Sequence, residues 1–548
     1  MHAILSRTNQ ILHTAGVAAW SASACLLAAA LLIAPACSIS HAEKPADSGK
    51  PHPTAQPGGE KRITPAEAKK LFALVDELMK FASDETGLPI KAQVKRQLTS
   101  REAVEKYMKA KLNEDKSEQR MERDEIVLKK FGLLDRDFDL GPFMLALLKE
   151  QIAGYYDDKT KTVNLLDWLD VDLQKPVMAH ELTHALQDQH VGLEAWGEQT
   201  PDDVSTNAAG DATHLTRDEW DTAREAVAEG QATAVMTDYL LKPAGKSLIA
   251  NPEMVEAMLE QMNGAGEDSP VMARAPLLLS ESMLFPYREG LSFEQDIWMD
   301  QGQKAAFAGA LDQPPNSSWE ILNPREYEQH HMAPVPLLPN IHPLVDPLYT
   351  AYDIGQIGQL DLHILAQILG GEVQTSRLTP AWNGGIYWAG QLKSATTAAA
   401  RAQTASLAIL YLSVWRNQAS AENFAQLYGQ NLDRKYSHVE MEKSNGNERE
   451  DRQIYSTSEG PVVITRRGAM VFVAESFPRA LALQLTDLVL DAQGTGATQF
   501  AAQPTPTTAL PGLSPTLPTL SGNLVRVFAH SGVLKAVVQA EARMNATR

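Results

Sequence analysis

Apolar residues near the start of the chain recur at helical spacing. Thr64-Pro65-Ala66-Glu67 has the form of a capping box with Pro in the first turn. The helix it opens carries Leu71, Leu74, Val75, Leu78 and Phe81 on one face. A second helical pattern begins near Ser100 and persists to Phe131. The period then changes. Ile152-Ala153-Gly154-Tyr155-Tyr156 and Thr162-Val163-Asn164-Leu165-Leu166 flank Asp157-Asp158-Lys159-Thr160, which predicts a hairpin. Beyond it, Pro176 suits the first turn of a helix and Gly192 its end. Val177, Met178, Leu182, Ala185 and Leu186 supply that helix with the apolar residues of a buried element. Thr216-Arg217-Asp218-Glu219 reads as another capping box, opening a long helix that reaches Leu241 and stops before Pro243.

The pattern is weaker after residue 340. It predicts helices around 354–370 and 394–413, and a further helix capped by Ser420. Val462-Val463-Ile464-Thr465 and Ala469-Met470-Val471-Phe472-Val473 flank Arg466-Arg467-Gly468 as a strand pair. Residues 494–522, with repeated Pro, Thr and Gly, predict a linker, and 523–548 hold a last helix from Val525 to Met544. No internal repeat is visible. A chain of 548 residues exceeds one compact core, so two or three domains are expected.

Residues 1–42 read as an export signal. Arg7 lies in a short polar region, residues 15–36 are almost wholly apolar or small, and Ser40-His41-Ala42 offers small residues where a signal peptidase reads. Lipid attachment at Cys37 is the second choice, because Ala34-Pro35-Ala36-Cys37 is a poor lipobox; an uncleaved membrane anchor is the third. Residues 43–61 form a flexible tether. The expected location is therefore periplasm, cell envelope or secreted, with membrane contact only through a lipid or an N-terminal anchor. Cys25 and Cys37, the only cysteines, both lie in the leader, so a chain cut after Ala42 must build any metal site from His and carboxylate. A net charge of −19 argues against nucleic acid as a partner.

The most informative segment is His180-Glu181-Leu182-Thr183-His184. On a helix, residues i and i+4 share a face, so both imidazoles can point at one metal ion. Glu181 is offset toward an open coordination position, where it can hold and deprotonate a water. That is the chemistry of a zinc-dependent peptidase acting on a peptide or protein substrate. A strand pair running into the metal-bearing helix is what a zincin-like fold requires, since an edge strand can pair with an extended peptide.

Candidates for the third ligand lie on both sides of residue 200. His190 gives the spacing HExxHxxxxxH, but Gln187 stands where a chain-turning Gly would be needed. If the helix continues, His190 is rotated by about 600° and points away from the metal. The better candidates lie in Arg224-Glu225-Ala226-Val227-Ala228-Glu229-Gly230-Gln231-Ala232. Carboxylates at 225 and 229 share a helix face, so one can bind the metal while the other orients a ligand His. Gly230 inside a helix calls for a packing reason, and close approach to the HELTH helix would be one.

HELTH followed by AEGQA resembles the gluzincins, in particular the aminopeptidase N type, whose third zinc ligand is the Glu of an NEGFA-like sequence. By that resemblance the ligand is Glu229, with Glu225 left as the orienting carboxylate. The spacing departs from the family. Those enzymes place the Glu much sooner, whereas here it follows His184 by 45 residues, with the polar stretch 191–215 reading as an inserted loop. Phe285-Pro286-Tyr287-Arg288-Glu289-Gly290 resembles the YxKG segment of the same enzymes, which implies that Tyr287 donates to the oxyanion. Residues 313–327, QPPNSSWEILNPREY, resemble the PPxSTEQILHPExY region of uncharacterised exported bacterial proteins that share HELTHALQDQ. Pro380-Ala381-Trp382-Asn383-Gly384-Gly385 is a degraded match to the A..GW.GD module of those proteins. The resemblance spans residues 140–480. No GxMEN sequence precedes His180, so endopeptidase rather than aminopeptidase action is expected.

The expected fold is α+β and predominantly helical. A helical N-terminal module (62–135) precedes a zincin-like metallopeptidase domain with a small mixed sheet (136–335) and an α+β C-terminal region (336–493). Zn²⁺ is expected on His180, His184 and Glu229, with Glu181 and Tyr287 catalytic. The rival expectation is a non-catalytic envelope scaffold that keeps the zincin fold for binding.

Overall fold

Thr64 caps helix α1 (Pro65–Thr86) as its sequence predicts. Its backbone N–H donates to Glu67 at 2.8 Å, its hydroxyl accepts the Glu67 N–H, and Gly87 ends the helix in the left-handed region. The computed structural model describes residues 62–500, apart from 113–114, 198, 202–203, 265–268, 443–450 and 494–498. The predicted signal, tether and last helix lie outside the described residues; of the predicted linker only Gln499 and Phe500 are described, paired with Val335 and Pro334. Among the described residues no helix is long and apolar enough to cross a membrane.

The predicted helical run from Ser100 to Phe131 is two helices, α2 (Arg101–Leu112) and α3 (Asp115–Phe131), and α4 (Leu140–Gln151) follows. The hairpin forms as predicted from β2 (Tyr155–Asp157) and β3 (Thr162–Leu166), with Asp157 Oδ1 accepting the N–H groups of Lys159 and Thr160 in the turn. A strand that sequence reading missed, β1 (Lys95–Thr99), pairs parallel to β3 on its other side, giving a mixed sheet in the order β1-β3-β2. Its Lys-Arg-Gln-Leu-Thr sequence is that of a polar edge strand, with little apolar alternation to show.

Helix α5 (Val171–Val191) begins earlier than predicted. Asp170 caps it, accepting the Asp172 N–H at 2.9 Å, so Pro176 sits inside the helix rather than at its first turn. Gly192 ends it as predicted. The stretch expected to be a loop contains helix α6 (Ala208–Arg217), capped by Asn207 Oδ1, and α7 (Trp220–Leu241) starts only after it. The capping box predicted at Thr216–Glu219 is absent. Thr216 donates to Thr213 O, while Asp218 accepts the Gln356 N–H and Glu219 the Ser318 hydroxyl. Long-range partners won over the local cap.

Gly230 meets a different helix from the one expected. A Cβ on Gly230 would lie 2.2 Å from the carbonyl oxygen of Gly290, and one on Gly290 would lie 2.1 Å from that of Ala226. The backbones of α7 and α8 (Leu277–Gln301) therefore touch, and that contact, rather than the HELTH helix, is the reason for the glycine. α1, α4, α5, α7 and α8 bury their apolar faces in one core with β3.

Between Tyr349 and Glu475 the chain supplies a seven-stranded antiparallel sheet. Its strands are β4 (Tyr349–Gln356), β5 (Trp382–Leu392), β6 (Leu407–Trp415), β7 (Val439–Met441), β8 (Asp451–Thr457), β9 (Gly460–Arg467) and β10 (Met470–Glu475), in the order β4-β5-β6-β10-β9-β8-β7. The β9–β10 pair is the predicted one, turning at Gly468. The helix predicted over 354–370 forms as α9 (Gln359–Leu378), its first residues lying instead in β4. The helix predicted over 394–413 is corrected: only Ala398–Arg401 and a single turn at Thr404–Ser406 are helical, and strand β6 takes over at Leu407. Leu407-Ala-Ile-Leu-Tyr-Leu is apolar throughout, and such a run hides the period of 2. Leu407, Ile409 and Tyr411 face one core with α10 (Gln418–Gln430), while Ala408, Leu410 and Leu412 face another with α11 (Arg479–Gln493). Asn417, not Ser420, caps α10 by accepting the Ser420 N–H at 2.9 Å.

Helix propensity alone predicts that Gly290→Ala stabilises α8, by about 1 kcal/mol. The backbone contact predicts the opposite, a loss of about 1–3 kcal/mol or more from overpacking. Chemical denaturation of Gly290→Ala beside wild type decides between them, and a lower midpoint is expected.

Candidate metal centre

Two buried helices supply the candidate site. α5 presents His180 and His184 on one face, and α7 packs against it to present Glu229; all three residues are at most 4% exposed. The Nε2 atoms of the two imidazoles are 3.0 Å apart. His180 Nε2 is 3.1 Å from Glu229 Oε2, and His184 Nε2 is 3.4 Å from the same oxygen. A tetrahedral ion with bonds of about 2.1 Å separates its donors by about 3.4 Å, so these three fit one coordination sphere. Glu229 Oε1 is buried and has no hydrogen-bond partner among the described residues, which an ion would also relieve. The donor set of two imidazoles and a carboxylate is the only such group among the described residues.

The charges agree with that arrangement. Burial lowers the His180 pKa to about 4, against the pull of Glu229 and the Ala232 backbone, so its imidazole is neutral and offers a lone pair. Burial acts the same way on His184, but the Glu229 carboxylate outweighs it and raises its pKa. Burial disfavours the Glu229 charge too, yet His184 and the hydrogen bonds of both imidazoles hold the carboxyl well below its ordinary range. Glu181 differs. Burial, aided by Glu229 and opposed by His184 and the Tyr156 backbone, pushes its pKa up to about 8. The carboxyl lies against the start of the small sheet, where a Cβ on Gly154 would be 3.8 Å from Glu181 Cγ.

The structure brings Tyr287 to the site as well. Its ring lies parallel to that of His180, with centroids 6.2 Å apart, on the helix whose position the Gly230–Gly290 contact sets. His190 does not join the cluster. It is half-buried at the end of α5, with Nε2 2.9 Å from Asp312 Oδ1. Glu225 is buried one turn before Glu229 and lines a neighbouring cavity.

Sequence reading missed what orients His184. Its Nδ1 is 2.8 Å from Gln187 Oε1, which fixes the proton on Nδ1 and leaves Nε2 free for an ion. Gln187 Nε2 in turn donates to Ala228 O at 3.0 Å and Gln231 Oε1 at 2.9 Å. Gln231 Nε2 donates to the carbonyls of Ala306 and Phe307, which lie in a π-helical stretch, Ala305–Gly309, where carbonyls leave the usual ladder. The i, i+3 spacing of His184 and Gln187 was the available signal.

Glu229→Ala is expected to abolish metal binding. Gln187→Leu, which cannot accept the Nδ1 proton, is expected to weaken it by roughly 10–100-fold with the fold intact. Zinc competition with a chromophoric chelator measures both, and wild-type affinity in Gln187→Leu would contradict the orienting role. The chain matches no family model, no curated protein and no solved structure.

Proposed function

We propose that this chain is an exported zinc-dependent metallopeptidase of gluzincin type, an endopeptidase with a zincin-like catalytic region. The observation that carries the reading is the convergence of His180, His184 and Glu229 beside Glu181 of the same HExxH helix. A zinc ion on these three donors would supply Lewis acidity toward a carbonyl and lower the pKa of water. Structural zinc sites close with four protein ligands, whereas three are brought together among the described residues, which favours catalysis. Glu181 takes the proton of the attacking water and delivers it to the leaving amine. Tyr287, a neutral donor, stabilises the oxyanion of the substrate. Strand β2 is an edge of the small sheet, and the Glu181 carboxyl bonds the Tyr156 backbone within it. That edge gives an extended peptide a strand to pair with.

One observation favours a second reading, a non-catalytic envelope protein that keeps the centre for binding. His180, Glu181, His184, Glu229 and Tyr287 are all buried, so a peptide reaches them only after the site opens. Pull-down partners held equally by wild type and Glu181→Gln, with no change in their own length, would select that reading.

Glu181→Gln is expected to keep one zinc and to cut turnover by about 10²–10⁴-fold. Tyr287→Phe is expected to keep zinc and lower kcat by about 10²–10³-fold with little change in KM. Cleavage of a diverse peptide mixture by the zinc-loaded chain, read by mass spectrometry, measures both. Turnover near the wild-type rate in Glu181→Gln would remove the mechanism.

A further inference from the structure

A cavity of about 410 Å³ adjoins the metal centre without containing any of its ligands. Glu225 lines it one helical turn, about 6 Å, before Glu229. Pro286 lines it next to Tyr287. One wall is apolar, built from residues such as Leu140, Met144, Leu279 and Met283. The other is acidic, with seven carboxylates in the lining against two arginines and one histidine.

Most of those carboxylates are already engaged. Asp353 accepts the Tyr387 hydroxyl at 2.6 Å and lies 3.7 Å from Arg123, and Asp218 accepts the Gln356 N–H with His214 alongside. Glu219 is engaged through one oxygen only. It is 5% exposed; Oε1 accepts the Ser318 hydroxyl at 2.6 Å, but Oε2 has no hydrogen-bond partner among the described residues. The place is built for that carboxylate, since a Cβ on Gly358 would lie 1.8 Å from Glu219 Oε1. Burial, with Asp361 nearby, pushes the Glu219 pKa up to about 8, the behaviour of a carboxyl that lacks a positive partner.

We propose that this cavity is a subsite for a cation on an aliphatic stem, the lysine or arginine side chain of a substrate peptide, with Glu219 as the receiving carboxylate. The apolar wall takes the methylenes and Glu219 Oε2 takes an N–H of the charged end. Assigning the ligand to a substrate rests on the metallopeptidase reading; the cation site itself stands on the cavity.

The test is calorimetric titration of the zinc-loaded full chain with Nα-acetyl-arginine methylamide and its norleucine counterpart. The arginine compound is expected to bind at least about tenfold tighter, the effect of one buried charge-assisted hydrogen bond. Glu219→Gln keeps an acceptor for Ser318 and should erase the difference while zinc content stays the same. Equal binding of the two compounds to wild type overturns the proposal whatever the variant does, and so does a preference that survives Glu219→Gln. Cleavage assays on the same preparation separate the two ideas. Peptide cleavage without arginine binding removes the subsite and leaves the peptidase, while Glu219-dependent arginine binding in a chain that cleaves nothing removes the peptidase and leaves the cation site.

Discussion

Two imidazole nitrogens and a carboxylate oxygen, turned toward one another out of water, are the constraint around which this protein is arranged. Their lone pairs repel unless something positive sits among them. A proton on His184 can serve one pair at a time, whereas one divalent ion serves all three donors. Bringing such groups together within a core costs several kcal/mol in desolvation, and a fold bears that cost only where the rest of the packing over-determines the geometry.

That packing can be traced. α5 and α7 share an apolar core whose small residues, Ala179, Ala223 and Ala226 among them, let the helices approach. The bare backbones at Gly230 and Gly290 then draw α8 against α7 and carry Tyr287 beside His180. From the other side, the Gln187–Gln231 chain ties His184 to the π-helical stretch, so the ring orientation depends on residues more than a hundred positions away in sequence. The small sheet closes over Glu181, where a Cβ on Gly154 would press to 2.9 Å from Val177.

Much of the site was legible in the sequence because its signals are local. HELTH carries its helix with it, and the EG-A spacing keeps Glu229 on an α7 face whatever the approach angle. The hairpin and the cap at Thr64 are likewise written within a few residues. The failures share a cause, in that a long-range partner displaced a local preference. Asp218 and Glu219 looked like a cap and instead bind β4 and Ser318. β6 looked helical because a strand buried on both faces is apolar at every position. β1 was too polar to read alone and exists because β3 offers it an edge. Gly230 announced a close contact, but not with which helix.

His180, His184 and Glu229 can hold one metal ion, and the proposed ion is zinc. Zinc K-edge absorption on the full chain carrying one equivalent of zinc tests it most directly. The expected spectrum has two imidazoles and light oxygen scatterers at about 2.0–2.2 Å, with no sulfur. A third imidazole, which would bring in His190, or a chain that retains no zinc, would contradict it.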